Sequence, residues 1–309
     1  MHTNGKNFAI GELTGSGSID NKGEKASTVN TLSIGGKDTD FAFGGTIVGS
    51  KVDKVGSGTW TVSNTTCLAD AGSVTISSGT LKLNSRFATA TMTGSSVVTI
   101  KNGASITGRG VVQSLTLNSG ASLQPGIASS PTSNVGTVKA LGNLNAQAGS
   151  DIYLNMVNNA NSDNSRSWVE CAGTLTLNGT LHLSLSPNYT AADGDSTTLI
   201  VAETIDGTPT FDLPDLPEGL SWDTSTLMQD GVIRVTSGAG IQQVTADLGQ
   251  CDCYVYDIAG KLVATITDCN LSNPSDLQSI LHQQRLASSV YLVRLNSPDG
   301  VKVRRVILK

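Results

Sequence analysis

Lys54-Val55-Gly56-Ser57-Gly58-Thr59-Trp60-Thr61-Val62 and, after a spacer, Val74-Thr75-Ile76-Ser77-Ser78-Gly79-Thr80-Leu81-Lys82-Leu83 decide how this chain is built. Within each stretch, apolar residues alternate with polar ones at a period of two, so one face of a strand is buried and the other is wet. Glycines and serines separate the strands, and they tolerate the positive φ of tight corners. The same grammar extends outward, through Val97-Val98-Thr99-Ile100 and Ser114-Leu115-Thr116-Leu117, with turns at Asn102-Gly103 and Asn118-Ser119-Gly120. Self-similarity of this kind predicts a solenoid, in which each turn of chain buries its apolar face by stacking on the next. Asn-Gly also signals antiparallel hairpins, which leaves a β-sandwich or a stack of meanders as the alternative.

The composition agrees with a strand-rich chain. Hydrophobic residues make up 38% of the 309 residues, enough for an extended core, so the chain is not of the disordered class. Charged residues make up only 15%. In-register residues on adjacent strands lie about 4.8 Å apart, so a column of like charges repels while columns of Thr, Ser or Asn hydrogen-bond. Residues 1–239 hold 13 Lys+Arg against 19 Asp+Glu, a balance of −6, and residues 240–309 hold 7 against 6, a balance of +1. No basic stripe interleaved with aromatics occurs, which excludes a nucleic-acid binder. No apolar run is long enough to span a bilayer as a helix. The opening residues MHTNGKNFAIGEL lack the apolar centre of a signal peptide, so a secreted reading requires a signal upstream of Met1.

Five cysteines, with no CxxC pair and no His at ligand spacing, argue against a zinc site. Cys251 and Cys253 share one strand face, too far apart to bridge each other easily. A cross-strand bond from either to Cys269 is the expected disulfide, with buried thiols as the other outcome.

The stretches Phe8 to Ile19, Thr31 to Gly36 and Gly45 to Gly49, followed by the two quoted at the outset, resemble autotransporter passenger sequence. The Lys54–Val62 and Val74–Leu83 pair is similar to the autotransporter-associated β-strand repeat, over roughly residues 8–128. The resemblance implies a right-handed parallel β-helix displayed outside the cell. Gly173-Thr174-Leu175-Thr176-Leu177-Asn178-Gly179-Thr180-Leu181-His182-Leu183 continues the grammar more loosely, and residues 137–236 are expected to supply an irregular cap that hides the last edge.

After a linker at 237–240 the pattern changes. Strands are predicted at Cys253 to Ile258, Lys261 to Thr265, Tyr291 to Leu295 and Val301 to Ile307. A tight turn is predicted at Ser297-Pro298-Asp299-Gly300, and a short helix after Asn273-Pro274-Ser275-Asp276, around Leu277, Ile280 and Leu281. A small sandwich fits. Val255, Tyr256, Asp257, Gly260 and Lys261, then Tyr291 and Val293, Gly300, and the closing Arg304, Arg305 and Lys309 resemble the type A C-terminal sorting domain of the type IX secretion system. That resemblance implies an Ig-like sandwich over 241–309 and the translocon as its partner. Ser288-Ser289 stands where the family has Gly before its Val-Tyr strand.

Catalytic constellations were sought and none is expected. His2, His182 and His282 are scattered, and no Ser-His-Asp or Cys-His arrangement can be drawn. Arg86, Arg109 and Arg166 lie singly, and Asp151 and Asp163 are expected to lack a carboxylate partner at the repeat spacing that a sugar-cleaving face requires. Trp60, Trp168 and Trp222 are read as core packing in preference to a sugar-stacking row. Lys302, Arg304, Arg305 and Lys309 form either a docking patch or a solvated edge. The sequence therefore predicts an all-β protein: a parallel β-helix over 1–236 and a sorting domain over 241–309. It predicts an exported bacterial surface protein, adhesin-like or a stalk, without catalysis, cofactor or metal. A glycan or host-surface ligand is expected on 1–236. The alternative is the non-catalytic C-terminal part of a larger secreted polysaccharide-degrading enzyme.

Overall fold

The computed structural model describes residues 6–21, 30–62, 68, 72–84, 91–126, 135–157, 166–187, 189–237, 250–257, 259–270, 280–281, 283–284, 286–287, 290–297 and 300–307. The chain is all-β and is organised around one 17-stranded sheet. Its contacts divide it into two compact units, residues 1–217 with 222–235, and residues 218–221 with 236–309.

Two parallel ladders make the first unit. In one, Thr31–Ile34 lies beside Lys51–Lys54, which lies beside Ser73–Ile76, then Thr91–Ile100, Ser105–Leu117, Leu144–Ala146, Trp168–Leu177 and Ile200–Asp206. In the other, Phe41–Phe43 is followed by Thr59–Val62, Thr80–Asn84, Ser105–Leu117, Ser122–Pro125, Asp151–Met156, Thr180–Leu185 and Thr210–Asp212. Ser105–Leu117 is long enough to serve both. Every one of these pairings is parallel, which excludes the antiparallel sandwich or meander for this unit. The loop of chain between facing residues varies in length: Thr31 faces Lys51, Val98 faces Leu115 and Leu144 faces Leu175.

The alternation read from the sequence becomes two apolar columns. Leu32, Val52, Val74, Val98, Leu115, Leu144 and Leu175 face one another in succession, and all are buried. So do Trp60, Leu81, Ile106, Leu123, Ile152 and Leu181. Each such side chain contributes about 1.5–3 kcal/mol by leaving water. The Thr, Ser and Lys residues between them point outward.

The glycines of the opening stretch hold the corner. Gly56 has φ +75°, and a Cβ on Gly58 would lie 2.1 Å from the Thr39 carbonyl oxygen, so neither position admits a side chain without shifting backbone. Lys54 sits at a core position of this corner, facing Ile34 and Ile76. It is fully buried, and its Nζ donates to the carbonyls of Gly56 (2.6 Å), Val55 (3.1 Å) and Ser78 (3.1 Å). Burial lowers its pKa, and the nearby Asp38 and Asp40 charges partly oppose that.

Beyond the ladders, Ser196–Thr198 pairs antiparallel with Val232–Ser237, and the short helix Leu227–Asp230 ends at Gly231 in the left-handed conformation. The second unit contains a four-stranded antiparallel sheet. Gln250–Tyr256 lies between Leu262–Asn270 and Val290–Ser297, and Gly300–Ile307 lies outside the last. The four predicted tail strands are all present, most of them longer than predicted. Ile280, Leu281 and Gln283 are helical. Asn273 to Leu277, the Pro298-Asp299 turn centre, Ser288-Ser289 and most of the linker lie outside the described residues.

Candidate functional site

The outward rows of the second ladder carry polar side chains in register. One row passes from Ala42 through Thr61, Lys82 and Thr107 to Gln124. The pairing of Ser122 with Asp151 and Leu123 with Ile152 then brings Tyr153 beside Gln124, and the row continues through His182 to Asp212. Two depressions lie along it. One, of about 490 Å³, is lined by Asp40, Thr59, Thr61, Lys82, Thr107 and Gln124 among others. The other, of about 550 Å³, is lined by Gln124, Tyr153, Asn155, His182, Ser184 and Asp212 among others. Gln124 borders both, so the two lie next to each other along the row.

The second depression holds a carboxylate–imidazole–carboxylate row. His182 Nε2 lies 2.8 Å from Asp151 Oδ1, and His182 Nδ1 lies 2.7 Å from Asp212 Oδ2. Tyr153 stacks on the imidazole, with ring centroids 4.4 Å apart and planes 13° apart, and its side chain stays 41% exposed. These contacts follow from the ladder: Tyr153 and His182 occupy matching positions on neighbouring strands, and Asp212 occupies the next. Burial pulls the His182 pKa down, but the hydrogen bonds and charges of Asp151 and Asp212 outweigh it and hold it above the ordinary 6.5. When protonated, the imidazolium donates through both nitrogens.

At one repeat from Asp151 stands His182 and not a second carboxylate; Asp212, two repeats on, is joined to Asp151 only through that imidazole. The signal was in the sequence. Asp151-Ile152-Tyr153-Leu154 and Thr180-Leu181-His182-Leu183 share the same in–out phase, and laying one on the other puts Tyr153 over His182. His2, His282, Arg86 and Asp163 lie outside the described residues.

The raised pKa sets the sign of a pH effect. The contribution of a protonated His182 to stability is complete below the unfolded pKa of about 6.5 and is lost as pH rises through the higher folded value. Thermal melts of wild type and His182→Gln from about pH 5.5 to about pH 9 should show a wild-type advantage at the acid end that shrinks with rising pH. A constant difference would mean that the imidazole is not held as a cation.

The tryptophans do not form an exposed row. Trp60 is fully buried and stacked at 6.1 Å on Phe41; Trp168 lies under the Arg166 guanidinium at 4.7 Å; Trp222 Nε1 donates to the Pro214 carbonyl at 2.8 Å. Arg109 donates to the Val135 carbonyl, so it serves backbone.

In the second unit the expected sorting residues divide by burial. Val255, Tyr291 and Val293 are core residues, and the Tyr291 hydroxyl donates to the Ala287 carbonyl at 2.9 Å. Asp257 builds a turn: its carboxylate accepts from the Ala259 and Lys261 amides at 2.9 Å, and Gly260 has φ +79°. Tyr256, Leu262 and Leu292 stand in register, and Leu262 and Leu292 are exposed. Gly300 faces Ser297, Arg304 faces Val293 and Arg305 faces Leu292, while Lys309 lies outside the described residues. Cys253 and Cys269 are buried thiols whose sulfurs meet at 2.8 Å as a hydrogen-bonding contact, so the structure has the buried-thiol outcome for this pair and not the cross-strand bond; Cys251 faces Cys269 in backbone register. Cys171 is buried in the first unit and donates to the Gly142 carbonyl, and Cys67 lies outside the described residues.

Among the described residues no group of three or more metal-ligating side chains converges, and no helix is long and apolar enough to cross a membrane. No protein-family model matches the chain, and no curated protein matches it either.

Proposed function

We propose that residues 1–236 form a right-handed parallel β-helix that residues 241–309, an Ig-like sandwich recognised by the type IX secretion translocon, carry across a bacterial outer membrane. At the cell surface the first part acts as a stalk or adhesin-like passenger that binds a glycan or host-surface ligand and performs no catalysis. The observation that carries this reading is the register of the two parallel ladders. Residues 20 to about 30 positions apart face each other repeatedly, as Thr31 faces Lys51 and Asp151 faces Thr180. That is the pattern expected of a solenoid. Its outward rows of hydroxyls and amides suit an extended ligand. The His182 geometry favours binding over catalysis, because both ring nitrogens are already engaged by carboxylates and neither is left to move a substrate proton.

For the tail, Val255, Tyr291 and Val293 shape the core, so recognition falls to its exposed face. Tyr256, Leu262 and Leu292 offer an apolar docking row there. The test is surface display of a reporter fused to residues 237–309 in a bacterium with a type IX apparatus. The intact tail should bring the reporter to the surface, and Leu292→Asp should leave it in the periplasm. A reporter retained with the intact tail, or displayed without it, would overturn the sorting role.

A second reading, the non-catalytic C-terminal part of a larger secreted polysaccharide-degrading enzyme, is favoured by one observation: the depression beside Tyr153 has the size and the mixed apolar and polar lining of a sugar subsite. Catalytic sequence encoded upstream of Met1 would decide for it.

A further inference from the structure

We infer that the groove centred on Tyr153, His182 and Asp212 is a binding site for a neutral polysaccharide, with the sugar chain lying across the strands from this depression toward Lys82. The inference deepens the passenger's ligand-binding role and does not depend on how the chain is exported.

Three features of the site argue for a sugar. Tyr153 offers a large half-exposed ring beside polar groups, the combination that recognises the apolar face and hydroxyl edge of a pyranose. Asp151 and Asp212 each present a carboxylate whose orientation is fixed by one hydrogen bond to His182 and which retains further acceptor capacity for ligand hydroxyls. Holding both carboxylates before the ligand arrives reduces the ordering cost of binding. Beyond them, Gln124, Thr107 and Thr61 continue the polar lining at the spacing of adjacent strands, about 4.8 Å, so a linear polymer meets a fresh donor or acceptor at each step.

Charge selects the class of sugar. Asp40 and Asp212 line the groove with Lys82 and His182 as the cations, Asp151 stands behind His182, and residues 1–239 sum to −6. A polyuronate would bring its carboxylates against these aspartates. A polycation would meet Lys82 and the His182 imidazolium. A neutral chain meets neither penalty, and its hydroxyls donate to the carboxylates.

The experiment measures binding of the purified full-length chain by isothermal titration calorimetry. The probes are cello-, xylo- and manno-oligosaccharides as neutral ligands, and oligogalacturonate as the anionic one. At least one neutral oligosaccharide should bind, and oligogalacturonate should bind at least about tenfold more weakly. Tyr153→Ala and Asp212→Asn should each weaken the neutral ligand about tenfold or more, the loss expected for one stacking or charge-assisted contact. Thr176→Ala, on the other ladder, is the control and should bind as wild type. Circular dichroism checks that the variants keep the wild-type fold, and Tyr153→Phe, which keeps the ring, should retain most affinity if Tyr153→Ala disturbs the strand. The proposal is overturned if no neutral oligosaccharide binds, if oligogalacturonate binds equally tightly, or if Tyr153→Ala and Asp212→Asn both bind as the control does. Release of shortened oligosaccharides would also overturn it as a pure binding site.

Discussion

Trp60→Ala should lower the unfolding free energy by about 3–5 kcal/mol, the range for removing a fully buried aromatic. Trp60 is 0% exposed, stacks on Phe41, and stands in the apolar column above Leu81 and Ile106. The cavity it leaves opens between successive strands, and the parallel backbone fixed by the glycine corner is poorly placed to collapse into it. Trp60→Phe should cost much less, because the indole Nε1 has no hydrogen-bond partner to lose. Urea denaturation followed by far-UV circular dichroism measures both. Equal losses for the two variants would show that the side chain does more than fill space. Sugar affinity should be nearly unchanged in Trp60→Phe, since this residue lies inside the ladder and Tyr153 outside it.

Lys54→Met is the second large effect, about 2–4 kcal/mol of destabilisation despite near-equal volume, because it strips the shared donor from three half-buried carbonyls. An apolar side chain would ordinarily be welcome at a position between Ile34 and Ile76. The ammonium is there because the corner turns its carbonyls inward at Val55, Gly56 and Ser78, and those acceptors need a donor that no backbone amide supplies. Lys54→Arg should not restore the wild-type midpoint, since the wider guanidinium would press on Gly79, where even an added Cβ would lie 2.6 Å from Nζ. A Lys54→Met protein as stable as wild type would mean that water replaces the ammonium.

These two residues also show how far the sequence could be read. The alternation in Thr59–Val62 and Thr80–Leu83 was enough to place Trp60, Leu81 and Leu83 inside and the threonines outside. Parallel pairing followed from the repeated grammar, because identical strands stack most readily in register. Lys54 was visible only as a member of a motif. A charged residue at a core phase reads as a pattern break until the corner carbonyls that receive it are known. The His182 row was missed for a related reason. The strands of its ladder return after 29 or 30 residues, and a carboxylate pair whose middle member is an imidazole does not read as a carboxylate pair. In the tail, the strand pattern placed the four strands, and the motif residues Val255, Tyr291 and Val293, singled out by resemblance alone, lie in its core.

The uneven loop between facing residues gives the first unit something like a reading frame. Residues added between strands, as between the returns at Thr31 and Lys51 and those at Leu144 and Leu175, leave the phase of every later strand intact. One residue inserted within Thr180–Leu185 ahead of His182 would instead turn the imidazole into the core and Leu183 out to the groove, and every contact in the carboxylate row would be lost at once. Length is therefore neutral currency in the history of such a chain and phase is not. Descendants that bind the same ligand should be recognisable by which residues share a phase, even where the spacing between them has drifted.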